Sequence, residues 1–190
     1  MRELPDILIP QARVLFVGIN PGLRSAALGH HFAGKGNPFW RLLHEARLTP
    51  MALRPEEDAR LPEFGLALTN LCSRSSRTAA ELSRTEIAEG RSALLHKIAR
   101  WQPRIVALVG LSIYCHVFSR AHSGGAGEKP EGIAGSRLFV LPNPSGLNQS
   151  FPGFVDKLIW FVRLRELADA CLPGPVAAGI ADPVSRDPQT

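Results

Sequence analysis

Arg13-Val14-Leu15-Phe16-Val17-Gly18-Ile19-Asn20-Pro21-Gly22 begins as a β-branched and aromatic run and ends in a turn bounded by glycine and proline. That pattern predicts a buried strand opening directly into a tight loop. Gly65 to Leu71 reads as a second short strand. Arg104-Ile105-Val106-Ala107-Leu108-Val109 reads as a third, with too little polarity to face water on either side, as in the middle of a parallel sheet. Leu138-Phe139-Val140-Leu141 is the last strand, ending at Pro142-Asn143-Pro144-Ser145-Gly146. Helices are expected from Phe39 to Ala46, with Pro38 at the first turn, from Glu86 to Trp101, and from Leu111 to Ser119. Phe154 to Cys171 repeats apolar residues at helical spacing and closes before Pro173. Alternating strands and helices predict a three-layer α/β/α sandwich with a short, mainly parallel sheet. Leu23 to Gly36 reads as loop, Ala52 to Phe64 as a connecting segment, and Ser123 to Gly135 as a Gly-rich linker or hairpin.

The chain has 190 residues, 45% of them hydrophobic and 21% charged, which is enough for one core and too few for two ordinary domains. A single domain over residues 1–172 is expected, with a frayed tail over 173–190 where Pro, Gly and Ala mix. With 17 Gly and 16 Pro, the sequence lies below the range of disordered or collagen-like chains. The longest nearly apolar run, Ile105 to Cys115, is broken by Gly110 and Ser112 and falls short of a bilayer span. The first residues carry Glu3, Asp6 and Arg13 and lack the pattern of a signal peptide, so a cytoplasmic location is expected. Three cysteines without a C-x-x-C pattern predict buried thiols, not a disulfide framework or metal site. The net charge of +5 is compatible with a polyanionic partner but does not require one.

Ligands of such sheets bind beyond the carboxyl ends of the strands, and the loops over Gly18 to Asn37 and Pro142 to Ser150 both follow strands. Gly29-His30-His31-Phe32-Ala33-Gly34-Lys35 matches a phosphate-cradling G-x-x-x-x-G-K, yet Gly36 stands where a magnesium-binding hydroxyl is needed. Adjacent His30 and His31 seldom point at one ion, and no second ligand cluster accompanies them. No G-x-S-x-G elbow occurs, and Ser145 lacks an evident His/Asp pair. In Gly18-Ile19-Asn20-Pro21-Gly22 the Asn20 amide either closes its own turn or faces whatever enters the cleft.

Four blocks, Gly18-Ile19-Asn20-Pro21-Gly22-Leu23, Gly29-His30-His31-Phe32, Gly36-Asn37-Pro38-Phe39-Trp40 and Asn143-Pro144-Ser145-Gly146-Leu147, closely resemble the mismatch-specific uracil-DNA glycosylase and thymine-DNA glycosylase family. The similarity extends over approximately Ile9 to Leu167. It implies a uracil-glycosylase fold and monofunctional excision of a mispaired pyrimidine from double-stranded DNA as the first step of base excision repair. It also implies a monomer with no cofactor. By this resemblance Asn20 holds the attacking water, and Phe32 stacks on the extruded base. Asn37 serves as a base-edge ligand beside an N-cap role, Ile19 offers backbone to the uracil edge, and Asn70 lies near the pyrimidine ring. His30 or His31 touches a phosphate or helps to shape the pocket, or the two are an exposed loop pair with no such contact. Leu147 resembles the wedge that fills the vacated stack, with Ser145, Gly146 and Asn148 around it and the backbone of Gly146 and Asn148 reading the orphaned guanine. Arg24, Lys35 and Arg74 are the basic residues nearest these loops and the expected phosphate contacts.

The first motif is nearer to the thymine-removing branch and the last nearer to the bacterial uracil-removing branch. Uracil opposite guanine is therefore the expected substrate, with ethenocytosine and G·T mispairs as further options. Two other readings stay open on the residues alone: a nonenzymatic mismatch-binding module, and a small-molecule nucleotide hydrolase using the Gly29 to Lys35 loop.

Overall fold

The computed structural model describes residues 4–145 and 150–171. Five strands, β1 (Val14–Gly18), β2 (Leu66–Asn70), β3 (Ile105–Val109), β4 (Gly127–Ile133) and β5 (Ser136–Leu141), form one sheet in the order β2-β1-β3-β5-β4. The first three and β5 run parallel, and β4 pairs antiparallel with β5 at the edge. All residues of β1 and β3 are buried, as their unbroken apolar runs require. In β4 alternate residues face solvent, and Pro130 falls where its pairing register shifts, a position an edge strand tolerates.

The strands send alternate side chains to opposite faces, so one sheet builds two cores. Val14, Phe16, Leu66, Leu68, Ile105 and Phe139 pack with α2 (Phe39–Glu45) and α5 (Phe154–Ala170). Leu15, Val17, Ala67, Val106, Leu108 and Val140 pack on the other face with α3 (Arg84–Trp101) and α4 (Leu111–Phe118). Each fully buried Leu or Phe contributes about 1.5–3 kcal/mol of transfer free energy to this arrangement. The result is the three-layer α/β/α sandwich that the alternation of elements predicts.

Two expectations need correction, over Leu23 to Gly36 and over Ala52 to Phe64. The supposed loop over Leu23 to Gly36 begins with a helix, α1 (Leu23–Leu28), which Gly29 stops in a left-handed conformation at φ 79°. Six residues without a capping side chain are too short for helical periodicity to be legible. The segment before β2 holds a 3-10 helix, Pro55–Phe64, anchored by the buried side chains of Asp58 and Leu61. The Gly-rich stretch resolves as the β4-β5 hairpin. The tail over 173–190 lies outside the described residues. Among the described residues no helix is long and apolar enough to cross a membrane, and no three His, Cys, Asp or Glu side chains gather as metal ligands would.

Because β1, β2, β3 and β5 point the same way, the chain segments that leave their carboxyl ends meet along one rim of the sheet.

Candidate functional site

That rim holds a cavity of about 420 Å³. Its wall takes Gly18 to Gly22 from the turn after β1, Asn70 from the end of β2, Val109 from β3, and Asn143 and Ser145 from beyond β5. His31, Phe32, Gly34 and Asn37 close it from the segment that precedes α2, and Ser76 to Ala79 from the segment after β2. Ile19, Asn20, His31, Phe32, Asn37, Asn70 and Ser145, singled out in the sequence for one site, therefore line one space.

Asn20 is held by the chain that follows β2. The two turns continue the parallel pairing past the strand ends: Leu71 N–H donates to the Gly18 carbonyl, Cys72 N–H to Ile19, and Ser76 N–H to Pro21, at 2.8, 2.8 and 3.1 Å. The Asn20 amide nitrogen donates to the Arg74 carbonyl at 3.0 Å and to Ser76 Oγ at 2.7 Å. The Ser76 hydroxyl in turn donates a hydrogen bond to the Thr78 carbonyl, also at 2.7 Å. A carbonyl can only accept, so the amide orientation is fixed, and Asn20 Oδ1, an acceptor, is the atom left for a ligand. The contact that decides this is tertiary; the turn does not simply bond to itself.

Phe32 stacks on buried Phe39 with ring centroids 3.9 Å apart and planes 19° from parallel. One ring face is thereby used on the core, and the residue lines the cavity. Its backbone sits at φ 50°, a left-handed conformation costly for an aromatic residue. The flanking residues over-determine it. His31 N–H donates to Asp58 Oδ2, the His31 carbonyl accepts from Trp40 Nε1, and Ala33 N–H donates to Ser25 Oγ, at 3.0, 3.1 and 3.0 Å. Gly18 makes room: a Cβ there would overlap Asn70 Oδ1 and come within 3.6 Å of Phe32 Cζ.

His31 is buried, and its Nε2 lies 2.9 Å from the Pro5 carbonyl, so that nitrogen carries the proton. Burial is the main influence on the imidazole and lowers its pKa below the ordinary 6.5, against the Pro5 carbonyl, Asp58 and Asp6, which pull it upward. At pH 7 it is neutral and shapes the wall without adding charge. His30 instead pairs with Asp58 Oδ1 at 3.2 Å.

Pro38 holds the N-cap position of α2, and Asn37, one residue before it, accepts the Phe39 N–H on its Oδ1 at 3.0 Å, which leaves its Nδ2 to offer to a base. The Asn70 amide, at the end of β2, has no hydrogen bond to another described residue. Ile19 gives its carbonyl to Cys72 N–H. Among the described residues no Asp or Glu lines the cavity, so it presents amides, hydroxyls, a neutral imidazole and backbone, with the Arg77 guanidinium as the basic group of the wall.

The basic residues divide. Arg24 is exposed on α1 with Nε on the Ala33 carbonyl at 3.1 Å, and Lys35 is exposed in the turn beside Gly34. Arg74, expected to meet phosphate, is instead tied to Glu86, whose carboxyl it holds down to about 2, and to the Glu81 carbonyl at 2.7 Å. Its place at the rim is taken by Arg77, which the sequence reading passed over together with Ser76 and Thr78. Ser73 to Thr78 has no periodicity to read; its only signal was that it follows a strand directly. Gly146, Leu147 and Asn148, where the wedge and guanine contacts are expected, lie outside the described residues, and Ser145, which precedes them, lines the cavity.

The family model of the uracil DNA glycosylase superfamily matches residues 5–162. Among solved structures, the chain resembles the solution NMR structure of a candidate uracil DNA glycosylase from Methanosarcina acetivorans at 21% identity. That match has a TM-score of 0.59 and covers 87% of this chain and 97% of the other. At that identity the likeness establishes the fold alone.

Proposed function

The chain belongs to the uracil DNA glycosylase superfamily, and from that membership we propose that it excises uracil from G·U mispairs in duplex DNA as a monofunctional, monomeric glycosylase. Membership carries the coarse activity, hydrolysis of the N-glycosidic bond to uracil. The preference for mispairs rests on the resemblance of the four sequence blocks to the mismatch-specific branch. Ethenocytosine and thymine opposite guanine are further substrates to be tried.

The observation that carries the mechanism is the fixed amide of Asn20 in a cavity whose described wall holds no carboxylate. An amide oxygen can orient a water by accepting its proton in a hydrogen bond, but it is a negligible base at neutral pH. Chemistry of this kind proceeds through a largely dissociated transition state. The bond between C1′ and N1 of the base breaks, and its electron pair leaves with the base. Positioned donors stabilise the resulting anion, for which the Asn37 Nδ2 and the Asn70 amide are suited. Water held at Asn20 Oδ1 then adds to the sugar cation at C1′, and its surplus proton goes to the departed base or to solvent. Phe32 supplies the stacking wall, worth roughly 1–3 kcal/mol without demanding a sequence. Extrusion itself costs a few kcal/mol and least for a mispaired base, which favours G·U over A·U.

The test is incubation of a labelled G·U duplex with the protein in EDTA, followed by alkaline cleavage of abasic sites. A strand break at the uracil is expected. A shifted complex without cleavage would instead indicate a mismatch-binding module, and loss of activity to the chelator a metal-dependent nucleotide hydrolase. The wedge assigned to Leu147 has its own check: Leu147→Ala loses most activity on duplex substrate, and equal losses on single and double strands would remove that role.

A further inference from the structure

The segment after β2 carries two arginines three residues apart with opposite fates. Arg74 is tied to Glu86 and the Glu81 carbonyl. Arg77 is exposed, lines the cavity, and makes no hydrogen bond or ion pair with another described residue. Its backbone is nonetheless held on both sides. Buried Ser76 donates its N–H to the Pro21 carbonyl and its hydroxyl to the Thr78 carbonyl while accepting from the Asn20 amide. With no carboxylate among the described lining residues, nothing in the wall neutralises this guanidinium.

We propose that Arg77 is a phosphate-binding residue that grips the backbone of the extruded nucleotide at the mouth of the cavity. The inference rests on the glycosylase reading and adds a subsite to it. When a base fills the cavity, the sugar confines its two flanking phosphates to the rim, where Arg77 stands. A guanidinium donates only, in a planar fork matched to phosphate oxygens. The uncharged amides inside suit base edges, and the cation outside suits the phosphodiester. Because Ser76 joins Arg77 to Asn20, phosphate capture at the rim also braces the residue that orients water.

The test pairs protein variants with a neutral linkage. Binding of a G·U duplex is measured by fluorescence anisotropy across a salt series for the full chain, for Arg77→Ala and for Arg77→Lys. The duplexes are all-phosphate, or carry one methylphosphonate either 5′ or 3′ to the uridine. Arg77→Ala is expected to weaken binding roughly tenfold, the scale of one charged hydrogen-bonding contact. The slope of log K against log salt should become shallower by about 0.9, with Arg77→Lys restoring most of it. At one of the two linkages the methylphosphonate should cost the parent protein as much as the mutation does and cost Arg77→Ala nothing more. An unchanged salt slope, or losses from variant and neutral linkage that simply add, would overturn the assignment. Excision of the all-phosphate duplex by the parent protein is scored separately. Its failure would count against the glycosylase reading, whereas the binding arms judge Arg77 alone.

Discussion

Asn20 and Gly18 show how much depends on single atoms. With both N–H groups of Asn20 engaged by Arg74 and Ser76, only Oδ1 is free to hold water. Asn20→Ala is therefore expected to lower the single-turnover excision rate by roughly two to three orders of magnitude, the scale for removing one preorganised polar group, while the duplex is still bound. Near-normal cleavage would refute the assignment. At Gly18 an added Cβ would meet the Asn70 amide oxygen, the far end of a side chain that can swing away. Gly18→Ala should thus move stability by less than about 1 kcal/mol but slow excision by displacing Asn70. Combined with Asn70→Ala it should add nothing further, since both changes remove one interaction. Additive losses would show that Gly18 matters for another reason.

At the scale of elements, the site depends on how closely α3 approaches the chain leaving β2. Gly90 lies on α3 where a Cβ would overlap the Leu71 carbonyl and come within 3.3 Å of Cys72 Sγ. Replacing a helical glycine by alanine ordinarily gains about 1 kcal/mol. Here the contact is with backbone, which cannot rotate aside. Gly90→Ala is expected to destabilise by about 1–3 kcal/mol, the range for overpacking, with a lower urea midpoint. A raised midpoint would mean that α3 shifts freely. The same packing explains what was legible. The strand β3 and the helix α5 declare themselves because burial on both faces, or on one stripe, imposes a pattern. Helix α1 and the Pro55–Phe64 turn impose none, since their placement comes from Gly29 and from Asp58 reaching the backbone of His31.

Across the whole molecule, the burial of His31 links folding to pH. Its folded pKa lies below the unfolded value near 6.5, so between the two values the unfolded chain binds more protons. Stability from this group is fully present above about pH 6.5 and is lost as pH falls from there toward the depressed folded value. Urea midpoints should therefore fall between pH 7 and pH 5, and His31→Gln should flatten that decline. An equal slope in the variant would place the titration on other groups.

The alternation of the main strands and helices and the parallel sheet were readable from the chain, because burial periodicity and turn chemistry are local properties, whereas the Asn20, Phe32, Asn37 and Asn70 positions were named by resemblance to the glycosylase family. Nothing local says which atom of an amide faces a ligand. That was decided when the chain after β2 came to lie along the turn after β1, so that Arg74 and Ser76 engaged the Asn20 nitrogen and left its oxygen open. The same docking drew Arg74 onto Glu86 and left Arg77 at the cavity mouth. Sequence thus determined which chemical groups the protein has near its rim. Their direction and availability depend on hydrogen bonds between segments far apart in the chain, and these exist only once the sheet has brought the segments together.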